Sequence, residues 1–280
     1  MHQVGASGIS PDLLSGFPEG QVVAFALVLL RIGAFTVAMP ITGTSSVPAP
    51  VKVLWSLVLS VVIFPVASVG GGAATGVQSA VAPLAISEMV ILWALREVVL
   101  GLFLGFVVRF FFFAVSVAGE LLGVTSGLGA SQLFNPSLGT NSNILEQFEV
   151  LLATLLFLAL NGHHFFIEGI ARSFSLHPVG RTNINVLSFG DLGPWVQQII
   201  VSGIQIAAPV MISIFLAHLA MGIVGRVVPQ VNVLVTSLQM TILASFLVLF
   251  ISLPSNTETM GEMMDQMAGQ FTQAMKAIGR

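Results

Sequence analysis

The sequence predicts an all-α, membrane-associated protein. Hydrophobic residues make up 55% of the 280 residues, charged residues make up only 8%, and the mean hydropathy is +0.99. An ordinary soluble domain carries about a quarter charged residues. The apolar residues are gathered in long runs, and a run of about 20 apolar residues can cross a bilayer as a helix.

Six apolar runs define the predicted helices, and they cover residues 21–40, 50–68, 84–119, 147–170, 195–225 and 231–253. The third and fifth runs would extend about 54 Å and about 46 Å at about 1.5 Å per residue. Both lengths exceed the roughly 30 Å hydrocarbon core of a bilayer. We therefore expect breaks, re-entrant segments, or helices that leave the bilayer inside a protein assembly. Asn161 and Gly162 predict a corner in the fourth run.

Composition excludes several classes of function. The chain has no cysteine, so neither a disulfide framework nor a cysteine-based metal or redox site is possible. The net charge of −3 argues against nucleic acid as a partner. His164 and Glu168 share a helical face, but two ligands are short of a zinc site. We predict no metal, no cofactor and no enzymatic activity.

Charged residues inside the apolar runs need an explanation, because an ionisable group in a span is costly unless it meets water or a partner. These residues are Arg31, Arg96, Glu97, Arg109, Glu120 and Glu149. We interpret them as charges compensated by partner subunits, which lock an assembly. A proton relay is the alternative. On the first interpretation the chain is unstable by itself.

Residues 118–143 form a polar, glycine-rich stretch between two apolar runs. Irregular backbone is tolerated at membrane depth only where protein or a water-filled cavity surrounds it. Glycines such as Gly127 let the backbone rearrange at low cost, and Pro136 keeps Asn135 out of a helix. Leu133 and Phe134 could fill a narrow lumen. The stretch therefore predicts a pore or gate.

The last segment, 255–280, predicts a separate amphipathic helix. Ser255 and Glu258 form a possible capping box. Apolar side chains follow at steps of three and four residues, namely Met260, Met263, Met264, Met267, Phe271, Met275 and Ile278. We expect this helix to dock on a partner protein, because methionines suit an adaptable surface. A helix lying on the membrane surface is the alternative.

Five collinear segments carry a family resemblance. They are residues 46–52, 118–123, 134–136, 158–164 and 219–233. In this order they resemble the landmark segments of the FliR family of flagellar biosynthetic proteins, over most of the chain. Asn135 departs from the pattern, since many members have Asp before the proline, and this puts a charge-based role there in doubt.

The resemblance implies a fold of helical hairpins within the export gate of the flagellar type III secretion system. Residues 1–190 would be similar to FliP and residues 191–280 similar to FliQ. One copy of the chain would join FliP and FliQ homologues, with an FlhB-like protein nearby, to form the channel for unfolded flagellar proteins. The implied location is the bacterial inner membrane at the flagellar basal body.

The family's central loop plugs the closed channel, and by position it maps onto residues 126–142. The implied plug residues are Ser126, Gly127, Leu128, Gly129, Leu133, Phe134, Asn135, Pro136, Leu138 and Gly139. Three alternatives stay open. They are the homologous subunit of a virulence injectisome, a secondary transporter with a discontinuous helix, and a scaffold in which the loop is only a linker.

Overall fold

The computed structural model describes residues 19–40, 42, 47–71, 88–128, 143–180, 192–228, 230 and 232–278. Every regular element in these residues is a helix, which confirms the predicted fold class. The helices are α1 (Glu19–Ala38), α2 (Ala49–Gly71), α3 (Glu88–Ser126), α4 (Ile144–Ala159), α5 (Gly162–Leu176), α6 (Leu192–Val227) and α7 (Val233–Ile278). Five of them are long and apolar enough to cross a membrane, and α4 with α5 could form a sixth, bent span.

Helices α1 and α3 run in the same direction and pack closely. A Cβ added at Gly101 would collide with the carbonyl oxygen of Arg31, and one at Gly105 would lie 2.9 Å from the carbonyl oxygen of Phe35. Small residues permit this approach of two backbones in membrane proteins. Gly101 and Gly105 therefore allow α1 and α3 to pack closely.

The long helix α3 extends beyond the end of α1. Arg109 of α3 lies beside Ala38 at the end of α1, and α3 continues to Ser126, which is about 25 Å further at about 1.5 Å per residue. Both α3 and α6 are unbroken helices. Of the three expected explanations, breaks are therefore wrong for these two runs. Their length is instead that of continuous helices, and α3 extends past the end of α1.

Helices α4 and α5 bring the chain back along α3. The ring of Phe157 at the end of α4 lies 5.7 Å from that of Phe112 in α3. The two helices then meet at a bend of 68°. Asn161 at the bend has a left-handed φ of 57°, a conformation that asparagine tolerates better than most residues. The predicted corner is confirmed.

The predicted separate tail helix is wrong. Residues 233–278 form one helix that passes through Pro254. Ser255 does not cap a new helix, and its carbonyl oxygen instead accepts a hydrogen bond from Oγ1 of Thr259 at 3.0 Å. The hydroxyl of Thr257 donates to the carbonyl oxygen of Pro254 at 2.8 Å. Both bonds lie on the C-terminal side of Pro254, whereas the carbonyl that loses its N–H partner to the proline is that of Phe250.

The methionine-rich end of α7 packs on this chain itself. Met260, Met267, Phe271 and Met275 are buried, and the Phe271 ring lies 5.3 Å from the Phe166 ring of α5. The tail thus docks on protein, as expected, but a partner subunit is not needed to cover these side chains. The docking surface of the tail is an intramolecular one.

We predict that Gly101→Ala destabilises the α1 and α3 pair by about 1 to 3 kcal/mol, because the added methyl group overpacks a backbone contact. Gly33→Ala in α1 is the matched control, since no atom lies within 4 Å of its added Cβ. The thermal unfolding midpoints of the two purified variants provide the measurement. Equal midpoints would show that the close approach is absent.

A second prediction concerns the tail. Phe271→Ser should lower stability by about 3 to 5 kcal/mol, the range for truncating a buried phenylalanine. The exposed Gln273 gives the control variant Gln273→Ser. Limited proteolysis and thermal unfolding measure the effect. If Phe271→Ser left the chain stable but weakened recovery of another subunit, the tail would be a partner surface after all.

Candidate functional site

The start of the predicted plug is fastened to α7. Ser126 is fully buried, and its carbonyl oxygen accepts a hydrogen bond from Oγ1 of Thr241 at 3.1 Å. Gly127 follows with φ of 80°, and a Cβ there would lie 2.6 Å from Cδ1 of Leu238. A left-handed φ is cheap only for glycine. The chain therefore leaves α3 in a direction fixed by the backbone of Gly127.

The end of the plug is fastened to α3. The Asn143 amide nitrogen donates to the carbonyl oxygen of Gly119 at 2.9 Å. Its Oδ1 accepts from the backbone N–H of Leu145 at 3.0 Å and caps α4. The Asn143 side chain also fills the space that a Cβ at Gly123 would need. We call Ser126, Gly127, Asn143, Leu238 and Thr241 the loop anchor.

The residues that flank 129–142, Leu128 and Asn143, therefore lie beside the same end of α3. Of the candidate plug residues, Ser126 and Gly127 belong to the anchor, and Leu128 is half-buried against the core. The other seven lie outside the described residues, namely Gly129, Leu133, Phe134, Asn135, Pro136, Leu138 and Gly139. Residues 118–126, which belong to the predicted irregular stretch, instead continue helix α3.

A buried ion pair lies at the opposite end of the molecule. Nε of Arg31 in α1 is 2.5 Å from Oε2 of Glu97 in α3, and both side chains are almost fully buried. The remaining guanidinium donors reach Oγ of Ser173 at 3.2 Å and the carbonyl oxygen of His177 at 2.9 Å. The guanidinium carbon also lies 4.1 Å from the centre of the Phe174 ring. Arg31 thus joins three segments of the chain.

The segment that follows α5 completes this cluster. The backbone N–H of Gly180 donates to Oε1 of Glu97 at 3.5 Å. Nε2 of His177 lies 2.6 Å from the carbonyl oxygen of Met275 near the end of α7, so the imidazole N–H donates to this oxygen. We call Arg31, Glu97, Ser173 and His177 the charge hub. The charge hub connects α1, α3, α5 and the tail.

The expected compensation by partner subunits is wrong for Arg31 and Glu97. These two charges neutralise each other within the chain, and hydrogen bonds use their remaining polar atoms. Such bonds are what make a buried ion pair tolerable. An assembly role for the four other charges stays a prediction.

The four other charges have different surroundings. Arg96 is half-buried and Glu120 is exposed. Nε of the half-buried Arg109 donates to the carbonyl oxygen of Ala38 at 2.6 Å. Glu149 is fully buried, and in the described part of the chain neither carboxylate oxygen has a hydrogen-bond partner. Glu149 is thus a buried carboxyl group with no hydrogen-bond partner among the described residues, and contact with another subunit stays a prediction for it.

Several residues of the loop anchor and the charge hub were not predicted from the sequence. Asn143 could have been found, because asparagine just before an apolar run is a common helix cap. Ser173, His177, Leu238 and Thr241 gave no signal, since they act through contacts between distant segments. Within the described ranges, no group of three or more His, Asp or Glu residues could hold a metal ion.

These features define an all-α membrane protein whose central loop is anchored at both ends and whose helices are joined by a buried ion pair. A family model described as bacterial export proteins, family 1, matches residues 22–267. The chain belongs to this family, which includes the flagellar biosynthetic protein FliR. Family membership and the apolar helices together indicate a membrane location and a part in flagellar protein export.

Individual relatives agree with this assignment. The flagellar biosynthetic protein FliR of Bacillus subtilis is 32% identical over 81% of this chain and 85% of its own length. FliR of Aquifex aeolicus is 29% identical over 86% of this chain and 90% of its own length. FliR of Escherichia coli is 28% identical over 76% of this chain and 78% of its own length. The similarity thus extends over most of each protein.

Proposed function

We propose that this chain is the FliR subunit of a flagellar type III export gate and that residues 126–142 plug its closed channel. One copy joins FliP and FliQ homologues, with an FlhB-like protein nearby, in the bacterial inner membrane at the flagellar basal body. Unfolded flagellar proteins pass once the loop is displaced. The relatives named above are flagellar proteins, which favours this system over an injectisome.

The loop anchor is the observation that carries the proposal. A plug must stay attached when it moves, and it must return to the same place. The hydrogen bonds of Thr241 and Asn143 hold its two ends, while Gly127 provides a position where the backbone can turn. Displacement is then confined to residues 129–142, and α3 and α4 need not separate.

The position of the loop also supports a gate. It follows Ser126, which lies about 25 Å beyond the level of Ala38. The proposal therefore places the plug beyond the level at which α1 ends. This arrangement suits a plug at the far end of helices that rise out of the bilayer level.

We propose that the chain divides into two parts between residues 190 and 191. Helices α1 to α5 form the FliP-like part, and α6 with α7 form a FliQ-like hairpin. The tail of α7 returns to α5, where Phe271 contacts Phe166. We propose that this contact holds the two parts together before other subunits bind. Glu149 and Glu120 remain candidates for contact with those subunits.

The test replaces residues 129–142 with a four-residue Gly-Ser link and keeps the loop anchor intact. Asn143 contacts the last turns of α3, so a short link can join the two ends. We expect the export complex to assemble normally. Cells should become leaky to small ions, which a membrane-potential dye measures, because the channel has lost its plug.

A control variant loses ten residues, 74–83, from the connector between α2 and α3. It changes the length of a different connection and should leave the membrane potential unchanged. Normal ion conductance in a correctly assembled loop-replacement complex would contradict the plug. Loss of assembly in that variant alone would show that the loop is a structural connector.

A further inference from the structure

Arg109 has hydrogen-bond donors that no described residue accepts. Its Nε bonds the carbonyl oxygen of Ala38 at 2.6 Å, one of the last carbonyls of α1, which have no partner within their own helix. The two Nη groups form the other edge of the guanidinium. In the described residues no carboxylate or carbonyl oxygen accepts from them. A half-buried guanidinium group in an apolar helix favours an anionic partner.

A cavity of about 470 Å³ opens beside Arg109. Its wall consists of Val37, Ala38, Leu102, Phe103, Phe106 and Arg109. Among the described residues of the wall, Arg109 has the one polar side chain. The cavity fits a ligand with one anionic group and a long apolar part.

Measured against α1, Arg109 lies where a segment of bilayer length ends, although the candidate span of α3, Val90–Ser126, continues past it. Residues Gly20–Ala38 form a candidate span of 19 residues, which is close to the thickness of the hydrocarbon core. Arg109 lies at the end of that span. Lys52 and the exposed Trp55 stand in the first turns of α2 at the same end. Tryptophan and basic residues are enriched where a helix meets the interface.

An apolar strip leads away from the cavity along α3. It consists of Ile91, Leu95, Val99, Leu102 and Phe106, all exposed. The strip extends about 22 Å at about 1.5 Å per residue, which exceeds the depth of one leaflet, about half of the 30 Å core. Its side chains are large, whereas helix contacts in membranes favour small residues. The strip therefore suits an acyl chain better than a partner helix.

The geometry points to a phospholipid site on the outer face of α1 and α3. The lipid phosphate accepts from the Nη groups of Arg109, whose planar fork matches phosphate oxygens. One acyl chain fills the cavity and continues along the apolar strip. The bound lipid neutralises Arg109 and leaves its Nε free to hold the end of α1. This inference does not depend on the proposed plug.

The test uses the full chain purified with its co-purifying subunits in mild detergent. Phosphatidylglycerol is titrated into the delipidated complex, and native mass spectrometry counts bound lipid. We expect one tightly bound lipid per copy of this chain. Arg109→Gln should weaken its binding about tenfold, since charge-assisted bonds are roughly twice as strong as neutral ones. Arg226→Gln, at an exposed arginine of α6, should have no effect.

A second variant keeps the test valid if Arg109→Gln fails to fold. Val37→Trp fills the cavity from an exposed position and should expel the lipid while Arg109 stays in place. Unchanged lipid binding in both variants would overturn the proposal. So would displacement of the lipid by an equal concentration of inorganic phosphate, which would mean a simple anion site. If Arg109→Gln instead released another subunit and kept the lipid, a partner carboxylate would be the ligand.

Discussion

The buried ion pair of Arg31 and Glu97 is the contact on which the rest of the structure depends. Two full charges are removed from water, and the arrangement is stable only while each has its partner. Satisfying both requires α1, α3 and the segment after α5 to meet at one point. His177 extends the same network to the end of α7 through Met275. One charge pair therefore fixes the relative positions of segments far apart in sequence.

Helix α3 connects this pair to the central loop. Glu97 and Ser126 lie on one unbroken helix, about 43 Å apart at about 1.5 Å per residue. The charge hub holds one end of α3, and Thr241 and Asn143 hold the loop at the other. The proposed plug thus follows a helix that is held by contacts near both of its ends. The close approach at Gly101 and Gly105 stiffens that helix next to α1.

Much of the fold could be predicted from composition and apolar runs, including the helical class, the long helices and the corner at Asn161. The errors came from local signals that tertiary contacts override. Ser255 and Glu258 look like a helix start, yet one helix continues through Pro254, with Leu249 and Met260 buried on either side of the proline. The pairing of Arg31 with Glu97 could not be predicted either, because a single sequence shows that a charge needs a partner but not which residue supplies it.

A double-mutant cycle shows whether Arg31 and Glu97 neutralise each other within one chain. The unfolding free energies of Arg31→Met, Glu97→Leu and the double variant are compared with that of the wild type. Each single variant leaves one buried charge unpaired and should lose about 3 to 5 kcal/mol, while the double variant should recover most of that loss. If the losses simply added in the double variant, the two charges would not be partners.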